Sequence, residues 1–121
     1  MNQLNLIGRI VREIEVKEVG EAKVVLNNTI AIKRKFKHDQ GQQADFIPIV
    51  AWGQIAKLIQ SYCEKGDLIG VTGYIQSRTY QNKEEETVFV VEMVVTEIDF
   101  LQGRKNTSTI SNDEAEQITV Y

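Results

Sequence analysis

Apolar and polar residues alternate with a period of two along much of the first hundred residues, and that period demands half-buried β-strands. Leu4, Leu6, Gly8 and Ile10 alternate with Asn5, Ile7, Arg9 and Val11, a strand with Gly8 placed for a bulge. Val24, Leu26, Asn28, Ile30 and Ile32 stand against Lys23, Val25, Asn27, Thr29 and Ala31 in a second, longer strand. Residues 37–44 carry Asp39, Gly41 and several Gln and are predicted to form a loop. Phe46–Trp52 is a third strand, and Pro48 within it cannot donate to a ladder, which predicts an edge or bulged position.

The alternation breaks once. Ile55, Leu58, Ile59 and Tyr62 follow helical spacing, so residues 54–63 are predicted to form one helix, with Gly66 as its stop. Strand character returns over residues 67–80, with Ile69, Val71 and Ile75 on one face and Tyr74, Gln76, Arg78 and Tyr80 on the other. Residues 81–86 form a charged turn, residues 87–101 a last strand, and from Gly103 the chain is polar. No internal repeat is present. Three strands, one helix and two strands is the order of an all-β OB-fold, a five-stranded Greek-key barrel with one helix between strands 3 and 4. A generic antiparallel sheet with one helix is the alternative at this point.

The length, 121 residues, suits one domain with one core. We expect an OB-fold domain over residues 1–103 and a short flexible acidic tail over 104–121. No apolar stretch can span a bilayer, and Met1–Gly8 alternates rather than forming a leader, so no membrane association and a cytoplasmic location are expected. One cysteine, Cys63, excludes an internal disulfide and a thiolate cage. Net charge is −3, but residues 106–121 hold Asp113, Glu114, Glu116 and no base, so the rest is neutral overall. Lys33, Arg34, Lys35, Lys37 and His38 gather around Phe36, and a neutral body can still present a basic face.

Catalysis finds little support. His38, the only histidine, lies in a polar loop, and Cys63 has no base to activate it. Glu84–Glu86 reads as a solvated turn, and the glycines at 66, 70 and 73 lack phosphate-cradle spacing. We expect no catalytic residue, no metal and no cofactor. Binding fits better. An unstructured nucleic-acid strand needs π-faces for its bases and cations for its phosphates on one surface. Phe46 and Trp52 share a strand face, Tyr80 shares its face with Arg78 and Tyr74, and Phe36 is flanked by bases. The plainer reading is that each aromatic is a core residue and Lys33–Lys37 a solvated hairpin tip. Trp52, at its strand's end, is the one most open to turning inward.

The residues also match a family. Asn5-Leu-Ile-Gly-Arg9, Ala31-Ile-Lys-Arg-Lys-Phe36, Ala44-Asp-Phe-Ile47, Val50-Ala-Trp-Gly53, Tyr62-Cys-Glu-Lys-Gly66 and Gly73-Tyr-Ile-Gln-Ser-Arg-Thr-Tyr80 resemble, in order and spacing, bacterial-type single-stranded DNA-binding proteins across residues 1–103. The resemblance implies that Phe36, Phe46, Trp52 and Tyr80 stack on bases and that Lys33, Arg34, Lys35, Lys65 and Arg78 meet phosphates. It implies a homotetramer whose first strands pair between subunits, and roles in DNA replication, recombination and repair. Gln54, Gln76 and Thr79 stand where family members often carry a base, which predicts a shallow salt dependence. Residues 14–19 lack the family's Asp-Pro…Arg-Tyr segment, and Ile47 replaces an interface histidine. The ending, Asp113 to Tyr121, departs from the family's docking tip; it is either a divergent docking peptide for replication or recombination proteins, a remnant, or a strand that folds back.

Together these features predict a sequence-independent single-stranded DNA-binding protein that coats strands exposed in replication, recombination or DNA uptake. The rival is an OB-fold protein-interaction accessory module with weak nucleic-acid affinity. An RNA-binding OB protein is a third reading.

Overall fold

A computed structural model of the chain describes residues 1–35, 41 and 43–102. The elements run β1 (Leu4–Ile10), β2 (Val16–Val19), β3 (Lys23–Lys33), β4 (Ala44–Trp52), α1 (Gly53–Tyr62), β5 (Leu68–Gln81) and β6 (Thr87–Gln102). Neighbours in the sheet follow β1-β5-β6-β4-β3-β2, and β1 also pairs with β3 through Arg9↔Ala31 and Ile10↔Ile30. That last pairing closes five strands into a ring, with β2 paired outside it on β3. This is the OB-fold arrangement expected.

One phase of each strand fills the ring. Ile10, Leu26, Ile30, Ile49, Ala51, Ile69, Val71, Met93 and Val95 form one buried cluster, joined by Ala56, Ile59 and Cys63 from the helix side. Leu26, Ile30, Ile59, Ile69 and Met93 are the largest fully buried side chains, and each contributes about 1.5–3 kcal/mol by leaving water. Asn28 is the polar exception on this phase. Its side chain accepts from the Arg12 and Thr29 amides and donates to the Arg12 carbonyl, fixing the segment after β1 to β3. Tyr62 and Phe100, with ring centroids 5.5 Å apart, tie the end of α1 to β6.

Several expectations need correction. Gly8 carries no bulge: β1 pairs with β5 in unbroken register from Leu4↔Gly73 to Arg9↔Leu68. Its missing side chain serves closure instead, since a Cβ there would lie 2.6 Å from the Ala31 carbonyl oxygen of β3. The irregularities fall on the β5–β6 ladder, between Leu68 and Ile69 and between Thr72 and Gly73. The helix stops at Tyr62, well before Gly66; Cys63 is already extended and its amide caps Ile59. β2 was not expected as a strand; four residues with little burial give a weak periodic signal. Pro48 does sit at an open position, one residue before β4 begins pairing with β6 at Ile49.

Ile75 is the clearest departure. It keeps the phase of Ile69 and Val71, yet it is 43% exposed where they are buried. Beyond Ile75, whose partner Met93 ends the pairing with β4, β5 and β6 continue as a two-stranded arm to a hairpin tip where Asn82 Oδ1 accepts from the Glu84 and Glu86 amides. Phe89 and Val91 share Ile75's phase and are 77% and 57% exposed.

Candidate nucleic-acid interface

The strand phase that faces away from the barrel core assembles the site. On β3 and β4 it runs through the pairs Lys33↔Ala44, Ala31↔Phe46, Thr29↔Pro48, Asn27↔Val50 and Val25↔Trp52. On β5 and β6 it runs through Tyr74↔Val94, Gln76↔Glu92, Arg78↔Val90 and Tyr80↔Val88. The link is the parallel pair Val50↔Val94, so β3, β4, β6 and β5 present one continuous outer face. Val25, Val50 and Val94 are buried on that face as a second cluster, apart from the barrel core.

Phe46, Trp52 and Tyr80 all stand on this face, 53%, 47% and 48% exposed, and Tyr74 joins them. The plainer reading as core residues fails for these three, Trp52 included, because it ends β4 in the outward phase opposite Val25. Phe36 lies outside the described residues, as do Lys37, His38 and the tail from 103 to 121.

The basic candidates divide. Lys33 lies on the face and is exposed, and Lys35 is exposed in the bend after β3. Lys65 sits in the turn after α1, beside a cavity of about 670 Å³ shared with Ile10, Glu13 and Cys63, away from the sheet face. Arg34 is held by Asp45, its Nε and Nη2 donating to one carboxylate oxygen at 2.9 and 2.8 Å. That hydrogen bond raises the arginine and holds the Asp45 carboxyl below its ordinary value. Arg78 donates from Nε to Glu92 at 3.0 Å, and Gln76 donates to the same oxygen at 2.8 Å. The Arg78 guanidinium lies 5.9 Å from the centre of the Tyr80 ring. Burial pushes the Glu92 carboxyl up, but the bonds from Arg78 and Gln76 and the arginine's charge outweigh it, and the net direction is down.

Sequence reasoning therefore missed Glu92 and Asp45. The signal for Glu92 is a single carboxylate inside the apolar run from Val88 to Val95. Among the described residues no group of three or more His, Cys, Asp or Glu gathers as a metal site would require. Among them, too, no helix is long and apolar enough to cross a membrane.

A family model described as the single-strand binding protein family matches residues 1–101. The chain belongs to this family. It is 41% identical over 116 residues to single-stranded DNA-binding protein 3 of Clostridium acetobutylicum, covering 94% of this chain and 81% of that one. It is 42% identical to single-stranded DNA-binding protein 2 of the same organism, over 93% and 84% of the two chains. The single-stranded DNA-binding protein of Streptococcus mutans is 36% identical, over 93% of this chain and 69% of its own length. Within the single-strand binding family, then, this chain presents three of its four expected aromatics on one face, with Arg78 there already paired to Glu92.

Proposed function

We propose that the chain binds single-stranded DNA without sequence preference and coats strands exposed in replication, recombination, repair or DNA uptake, with no catalysis of its own. The observation that carries this is the exposure of Phe46, Trp52 and Tyr80 on one outward face across β4 and the β5–β6 arm. Every base offers a π-face, so stacking there is indifferent to sequence. Phe36 adds a fourth platform, and Lys33, Arg34, Lys35, Lys65 and Arg78 supply the cationic surroundings of the strand. The family match gives no support to the rival reading as an interaction module.

The working form is a homotetramer in the cytoplasm, built from residues 1–103, with the tail at 104–121 available to replication or recombination proteins. Support for the assembly comes from β1. Among the described residues, Leu4–Gly8 pair with β5 on one side, and β3 joins β1 only at Arg9 and Ile10, so an edge remains for the first strand of a second copy.

Trp52, the only tryptophan, reports on the site directly. Titration with oligo(dT) at low and moderate salt is expected to quench its emission, saturably and less tightly as salt rises. Constant emission with no complex at low salt would defeat the proposal.

A further inference from the structure

The strand-binding face carries a buried carboxylate, an unwelcome group on a surface meant for a polyanion. Glu92 points to the outward phase of β6, opposite Gln76, and is only 5% exposed. A charge at that depth persists only with partners. It has two, Arg78 Nε and Gln76 Nε2, both on Oε2. Arg78 is thus caught between the carboxylate and the Tyr80 ring, its side chain still half exposed.

We propose that Glu92 is a positioning residue of this face: it holds Arg78 as a neutralised pair against Tyr80, so the arginine supports a stacked base instead of neutralising a phosphate. The inference rests on the single-stranded DNA reading above. Its physics is a trade between two uses of one guanidinium. A free arginine would displace a counterion from the strand and add to the salt dependence of binding. An anchored one adds no net charge, but its plane is fixed beside the aromatic before the strand arrives, so less side-chain freedom is lost on binding. Swinging Arg78 out to a phosphate would strand the Glu92 charge on Gln76 alone, which keeps the pair closed. Arg34 and Asp45 make a similar pair, but on the opposite phase of β3 and β4, since Asp45 stands opposite Ile32.

The test is a cycle of salt titrations on the full chain with oligo(dT), using unmodified protein, E92Q and E92Q/R78Q. Removing the carboxylate's charge frees the arginine, so E92Q is expected to steepen the plot of log affinity against log salt by about 0.7. That corresponds to roughly 2.6-fold more affinity lost over a fourfold rise in salt. The double variant removes both charges and is expected to return to the unmodified slope, with lower affinity because Tyr80 has lost its support. Two results overturn the proposal: an E92Q slope equal to the unmodified one, or a double variant shallower than unmodified protein by about 0.7, which means Arg78 already serves a phosphate. Should E92Q fold poorly by circular dichroism, the double variant decides alone, since two amides replace the pair without leaving a charge. Failure of unmodified protein to bind oligo(dT) at all would sink the functional reading; binding with the wrong slopes sinks only this inference.

Discussion

The barrel and the arm share β5 and β6, yet the same alternation does different work in each. Before Gly73, Ile69 and Val71 of β5 meet a ring of strands and are buried; after it, Ile75, Phe89 and Val91 keep the inward phase and lie open. The divide has a specific cause. A Cβ at Gly73 would fall 1.8 Å from the Val94 carbonyl oxygen, so only glycine lets β5 cross so close to β6 where the ladder shifts. Past the pair Ile49↔Met93, opposite Ile75, no third strand among the described residues pairs with the ribbon, and a period of two then reports strand without reporting burial. The outward phase is continuous through the divide. That continuity carries Tyr80 and Arg78 on the arm into the same face as Phe46 and Trp52 on the barrel.

The comparison can be tested from its largest consequences downward. Replacing Phe46 and Trp52 together with Ala is expected to weaken oligonucleotide binding by about 2–6 kcal/mol, while Tyr80→Ala on the arm costs about 1–3, at roughly 1–3 per stacked base. Equal affinity for the double variant in equilibrium titration would remove the barrel from the binding face. On stability the order is reversed in kind. Ile69→Ala is expected to lose about 2–5 kcal/mol in urea unfolding, as core truncations do, and Ile75→Ala less than about 1. Similar losses at the two positions would mean the arm is packed in solution.

A smaller effect follows from the Arg78–Glu92 pair, which ties β5 to β6 within the arm. The folded chain holds the Glu92 carboxyl below its ordinary value of 4.5, so the unfolded state binds the proton more readily. Its stabilising contribution is therefore full above that ordinary value and is lost as pH falls through the lowered one. Urea midpoints measured down through this acid range are expected to fall for unmodified protein and to fall less for E92Q; parallel curves would contradict the assignment. Least of all, Phe89→Ser is expected to leave unfolding unchanged within about 0.5 kcal/mol. A larger loss would show that another surface covers the arm.

Much of this was legible in the residues alone. The strands of residues 4–10, 23–33 and 44–52 follow a strict alternation that any register must respect, and α1 announced itself by breaking it. The aromatic candidates were legible for the same reason. Phe46 and Trp52 lie six residues apart, and strand geometry places such residues on one face without reference to the rest of the fold. β2 was not legible, because a four-residue strand with only Val16 partly buried leaves no periodic trace.

Local chemistry along the chain, then, determined five of the six strands, where the helix lies and which aromatics share a strand face. The tertiary structure alone decided which outward residues meet. The closure of β1 on β3, the parallel contact of β4 with β6 and the crossing at Gly73 are long-range events. They bring Val50 beside Val94 and decide that Ile75 lies open while Ile69 does not, and the register of the β5–β6 hairpin sets Glu92 beside Arg78. The reason is physical: periodicity assigns a side chain to a face of its own strand, but burial and ion pairing depend on what another strand sets against that face.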